Sequence, residues 1–118
     1  MVAESFFELF FWLVFLHFLA DYPLQGEFLA RLKNPKDSLH DDNRFGEGAW
    51  RWGLWGHAII HGGLVYFATG MIWLGVAEMV AHAVIDKRKV DHKLSFHQDQ
   101  SLHIAFKVLW AIIAISQT

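Results

Sequence analysis

The sequence predicts an all-α fold, a four-helix transmembrane bundle. Three observations predict it: four long apolar runs, basic residues confined to alternate gaps between them, and polar exceptions that recur four residues apart. The chain has 118 residues, 54% of them hydrophobic and 19% charged. That is too apolar for a disordered chain and enough for one domain, residues 1–118.

The first run is Phe6 to Ala20, broken only by Glu8 and His17, and it predicts a span over 3–21. A secretory signal is the rival reading, but no basic stretch precedes the run and no small-x-small cleavage site follows it. The segment that comes next holds both prolines and a polar run from Lys33 to Arg44. Its length predicts a short interfacial helix around Leu24 to Lys33, followed by a mobile stretch. Further apolar runs predict spans over 52–69, 71–87 and 99–116, with loops over 22–51 and 88–98. Arg31, Lys33, Lys36, Arg44 and Arg51 lie in or beside the first loop, and Lys87, Arg88, Lys89 and Lys93 at the second. The tenth basic residue, Lys107, is inside the last span. By the positive-inside rule both loops are cytoplasmic and both termini face the other side, which predicts an integral membrane protein.

Cysteine is absent while histidine occurs eight times, which excludes disulfides, thiolate zinc sites, iron–sulfur clusters and thiol catalysis. A net charge of -2 lacks the basic excess of a nucleic-acid binder, and no nucleic acid is expected as a partner. Residues four apart share a helix face. The first span offers His17 and Asp21 at that spacing, the second His57 and His61, the third Glu78, His82 and Asp86, and the fourth Asp99 and His103. In an up-down-up-down bundle all nine converge in one layer nearer the cytoplasmic face. Two such groups on one face can chelate an ion, as in helical HExxH motifs. His17, Asp21, His57, His61, His82, Asp86 and His103 are the expected metal ligands, with Glu78 and Asp99 as candidate general bases. Imidazole and carboxylate without thiolate suit one or two divalent ions, zinc first, with iron or manganese as alternatives.

Lys107 lies one turn beyond His103, where it can pair with Glu78 from the facing helix or snorkel. His40, His92 and His97 are expected to be solvated loop residues. The glycines at positions 53, 56, 62, 63, 70 and 75 are expected to let helices approach closely, and the tryptophans, Trp110 among them, to face lipid or the interface.

The strings HFLADYPLQ (from His17), HAIIH (from His57), EMVAHAVIDKRK (from Glu78) and DQSLH (from Asp99) together resemble a family of small bacterial and phage membrane proteins catalogued as domain of unknown function 3307. The resemblance covers nearly the whole chain and implies a four-helix membrane protein of the bacterial inner membrane. It supports the matched residues and adds Gln25, Lys89 and Gln100 as supporting or substrate-contacting positions. A looser likeness to membrane-bound metal-dependent hydrolases is one of fold alone.

These observations predict a membrane-embedded, metal-dependent hydrolase. Basic residues at its rim suit a lipid-linked phosphoester or another anionic substrate. The alternatives are an oligomeric transporter or channel for a divalent ion or small polar solute, and a non-enzymatic membrane protein with a structural metal. A homo-oligomer is compatible with each.

Overall fold

The computed structural model describes residues 5–118, and every regular element in it is helical. α1 runs Phe6–Asp21, α2 Gly26–Leu32, α3 Trp50–Thr69, α4 Ile72–Val90 and α5 Phe96–Ser116, with a 3₁₀ segment Ser38–Asn43 before α3. Contacts run α1 to α3, α3 to α4, α4 to α5 and α5 back to α1, so the four long helices close a ring.

Local chemistry sets each boundary. The Ser5 hydroxyl accepts the Glu8 N–H at 3.1 Å and starts α1. Tyr22 leaves helical geometry immediately before Pro23, whose ring disfavours the α conformation in the preceding residue. The chain then turns by 82° into α2. α3 ends on Gly70 in the left-handed conformation, with its N–H on the Tyr66 carbonyl at 2.7 Å. α4 begins two residues later, so α3 and α4 are antiparallel neighbours. Ser95 and Gln98 form a reciprocal capping box at the head of α5.

Two glycine contacts position the rest. A Cβ on Gly62 would lie 2.5 Å from the Gly75 carbonyl oxygen, and one on Gly75 2.7 Å from that of Gly62, so α3 and α4 meet backbone to backbone. A Cβ on Gly53 would lie 2.7 Å from the Lys33 backbone nitrogen, so α2 rests directly on α3. Gly56 and Gly63 have open space where a Cβ would stand, and close approach is therefore the work of Gly53, Gly62 and Gly75. Gly62→Val is expected to destabilise the protein by about 1–3 kcal/mol through overpacking against backbone, read as a lowered unfolding midpoint, whereas Gly63→Val is expected to change it little.

The buried side chains fall into apolar and polar groups. One end holds an apolar core of Leu9, Leu13, Leu16, Val65, Ala68, Leu74, Ala111 and Ala114, and a smaller group of Leu54, Ala58 and Ala83 lies elsewhere. Ala20, Ile85 and Trp110 are buried as well, and beside them lies a buried polar set: His17, His57, His61, Glu78, His82, Asp86, Asp99, His103 and Lys107, with Lys33 at the edge. Large apolar side chains point outward instead, among them Phe7 (80% exposed), Trp52 (83%), Ile59, Phe67, Trp73, Val80 and Ile112.

Several expectations change. Among the described residues no single helix is long and apolar enough to cross a membrane; by length and composition only α1 and α2 together pass, and they are sharply bent. α1 has 16 residues, about 24 Å of helix. The longer helices carry inward-facing histidines and charges that lower their hydropathy. The expected start of the first span at residue 3 lies outside the described residues. α4 extends to Val90 and α5 starts at Phe96, which shortens the second loop to five residues. The stretch after α2, expected to be mobile, is tied down: Arg31 Nε donates to Asp37 at 2.9 Å, and His40, expected to be solvated, lies 2.8 Å from the Leu32 carbonyl. The Asp37 carboxylate also accepts the Leu39 N–H, which together with Arg31 holds it below the ordinary carboxylate range.

Candidate metal centre

The nine residues singled out by spacing meet in one layer. Asp21, the last residue of α1, sends Oδ1 between the two histidines of α3, 3.0 Å from His57 Nε2 and 2.9 Å from His61 Nε2. His82 Nε2 on α4 lies 3.8 Å from the same oxygen. These three imidazoles and one carboxylate place a ligand atom each within 4.8 Å of one another. A tetrahedral ion with bonds of about 2.0–2.2 Å needs its ligand atoms roughly 3.3–3.6 Å apart, so this spacing fits a zinc-sized ion with small adjustments.

A second group adjoins the first. Asp86, Asp99 and His103 also place ligand atoms within 4.8 Å of one another, with His103 Nε2 3.4 Å from Asp86 Oδ1 and 3.3 Å from Asp99 Oδ1. His82 links the two groups, since its Nε2 is 3.6 Å from Asp86 Oδ2 and its ring stacks on His61 at 3.6 Å and on His103 at 4.0 Å. Buried polar atoms without a hydrogen-bond partner cluster at the same place: His82 Nε2, His103 Nε2 and Asp99 Oδ1. Buried polar groups are normally satisfied, and unpartnered nitrogens and a carboxylate oxygen in one layer, with His17 Nδ1, His57 Nδ1 and Gln25 Oε1 also unpartnered, are compatible with a donor set for a cation.

The surrounding residues orient this set. Glu78 Oε2 can only accept, so His82 Nδ1, 3.1 Å away, carries the ring proton and Nε2 is free to ligate. Gln100 is a cross-brace between α5 and α1. Its Nε2 donates to Asp21 Oδ2 at 3.0 Å and Asp99 Oδ2 at 3.1 Å, while its Oε1 lies 3.2 Å from His17 Nε2. His17 is also 3.4 Å from Asp21 Oδ2, so it supports that carboxylate from the outer side. Gln25 donates to the Asp21 main-chain carbonyl at 2.9 Å. Lys89 stands outside the layer, with its ammonium 5.0 Å from the Phe96 ring centre.

Glu78 does not have the surroundings of a general base. Its Oε1 accepts from Lys107 Nζ at 2.6 Å and Trp110 Nε1 at 2.9 Å, and with His82 on Oε2 both oxygens are engaged. Trp110, expected to face lipid, is buried for this reason. It sits three residues beyond Lys107 on the same face of α5, a spacing that could have revealed it. Lys33 was not anticipated either. Seated by the α2–α3 contact at Gly53, it reaches Asp86 Oδ2 at 2.8 Å, and nothing in the local sequence sets it apart from Lys36. At the end of α4, Lys87 pairs with Asp91 at 2.7 Å and holds that carboxyl below its ordinary range. That pairing is present at neutral pH and is lost as the pH falls through the depressed value.

The layer holds four carboxylates, Asp21, Glu78, Asp86 and Asp99, against two ammonium groups, Lys33 and Lys107. With neutral imidazoles, two negative charges are left without counter-charge in a site where an unpaired carboxylate costs several kcal/mol. A divalent cation, or protonation of imidazoles in the layer, would balance them.

Fold and site together define an all-helical protein whose interior is a thiol-free imidazole–carboxylate centre. The chain belongs to the family described as protein of unknown function, DUF3307, whose model matches residues 9–118. No curated protein and no solved structure matches it.

Proposed function

We propose that this is an integral membrane protein that binds a divalent metal ion, zinc first, and uses it to hydrolyse an ester near the cytoplasmic face. The observation that carries the reading is the convergence of His57, His61, His82 and Asp21 Oδ1 in a buried layer where four carboxylates face two ammonium groups. The ring of outward-facing Phe, Trp, Ile and Val side chains supports placement in lipid, because water would leave that surface exposed at a cost of roughly 25 cal/mol per Å². Nine of the ten basic residues lie in the two connections or on the helix ends beside them, which supports the orientation.

His57, His61, His82 and Asp21 would hold the ion, which when bound would supply Lewis-acid activation of a water and of an ester oxygen. Asp99, whose Oδ1 has no hydrogen-bond partner, is the proton acceptor. The water oxygen bonds to the electrophilic centre, its proton passes to Asp99, and that proton returns to the departing ester oxygen. Gln100 holds Asp21 and Asp99 in place, and Glu78 fixes the His82 tautomer. A transit pathway is disfavoured by the apolar layer of Leu9, Leu13, Leu16, Val65 and Leu74, which closes the other end of the bundle.

The test is elemental analysis of protein purified in detergent without added chelator. About one or two equivalents of a first-row divalent metal per chain are expected. A metal-free protein of undiminished stability refutes the reading.

A further inference from the structure

Two cavities open beside the centre, and they differ in chemistry. The first is a cleft of about 500 Å³ lined by Gln25, Lys33, Asp86, Lys89, His92 and Phe96. It reaches the buried layer directly, because Asp86 belongs to the layer and Lys33 is its ion-pair partner. The second is an apolar groove of about 600 Å³ between α1 and α5, lined by Phe18, Tyr22, Phe96, Gln100, Ile104 and Val108. Phe96 forms a wall of both, and Gln100 joins the groove to Asp21 and Asp99.

We propose that cleft and groove form one binding site for an amphiphile: a phosphate ester whose head group lies in the cleft and whose hydrocarbon chain lies along α1 and α5. The proposal rests on the hydrolase reading above and names its substrate class. Charge complementarity selects the head group. Lys33 and Lys89 bring two ammonium groups to the cleft, and the only carboxylate among its lining residues, Asp86, is already paired with Lys33. Among the described residues Lys89 has no carboxylate partner and rests on the Phe96 ring, which leaves its charge available to a phosphate. Continuity selects the chain. A free phosphate would have no use for an apolar trough leading away from the cleft, whereas an anionic lipid could enter sideways from the bilayer past Phe18, Tyr22 and Phe96, which are all substantially exposed. A molecule held this way has its phosphate end beside Asp86.

The experiment uses the full chain in a neutral maltoside detergent, with binding of dodecyl phosphate, inorganic phosphate and dodecanol counted by native mass spectrometry and metal content measured in the same samples. Dodecyl phosphate is expected to bind about tenfold or more tightly than either fragment, since each lacks one of the two contacts. Lys89→Met is expected to weaken dodecyl phosphate and inorganic phosphate about tenfold. Ile104→Trp, which fills the groove, is expected to weaken dodecyl phosphate alone; Val108→Trp serves the same purpose if the first variant fails to fold. Metal content is expected to be unchanged in all three.

Equal binding of dodecyl phosphate and inorganic phosphate would show a site for the free anion and overturn the proposal. Equal binding of dodecanol, or dodecyl phosphate binding indifferent to both Lys89→Met and the groove variant, would do the same. A protein that holds the amphiphile with this dependence but contains no metal would keep the binding site and remove the hydrolase.

Discussion

Replacing His82 by alanine is expected to lower the affinity for zinc by about two orders of magnitude or more, measured by competition with a chromogenic chelator, while the protein stays helical. His82 is the most informative ligand because it stands between the two groups, 3.8 Å from Asp21 Oδ1 and 3.6 Å from Asp86 Oδ2, with its ring against both His61 and His103. Its loss therefore depletes both groups at once. Asp99→Asn keeps the shape of a side chain that receives Gln100, and it is expected to retain metal more nearly. A His82→Ala protein that binds zinc as wild type does would show that the imidazoles form a hydrogen-bonded network and nothing more.

The largest effect on stability is expected from Lys107→Met. Lys107 and Glu78 are each 1% exposed and meet at 2.6 Å, so removing the ammonium strands a carboxylate with only Trp110 and His82 as donors. Breaking a buried pair from one side costs about 3–5 kcal/mol, because the partner's charge stays desolvated. Converting both partners, in Glu78→Gln with Lys107→Met, is expected to restore much of that loss. Unfolding midpoints in detergent for the wild type and the three variants close a double-mutant cycle. A single Lys107→Met variant as stable as the double would mean that water reaches Glu78, contrary to its burial.

Much of the centre was legible in the sequence because the helix repeat is local. His57 and His61, Glu78, His82 and Asp86, and Asp99 and His103 needed only the four-residue spacing, and chain reversal put them at one depth. What was not legible depends on contacts between distant segments. Lys33 joins the layer because Gly53 lets α2 lie on α3, a contact twenty residues away that leaves no periodic trace. The part played by Glu78 turned on Trp110, a residue that hydropathy alone assigns to the outside. The helices were anticipated as elements, but the expectation that each is a single membrane span is not supported, since no single described helix is long and apolar enough. The residues that build the interior are the ones that make α3, α4 and α5 read as too polar, so hydropathy summed over a whole helix counts against the helices most committed to the site.

Two partners of Glu78, Lys107 and Trp110, lie on α5, which is synthesised after α4, and this has a consequence for biogenesis. If the bundle is made in a bilayer, α4 enters carrying Glu78 and Asp86 before Lys107, Trp110 and His103 exist, each acidic group at a cost of about 2.5–3.5 kcal/mol at helix centre. Asp21, at the end of α1, waits likewise for its histidines on α3 and then for Gln100 on α5. No three-helix intermediate is electrically complete. In that setting the chain would complete its buried charge pairs only once α5 has joined the other helices.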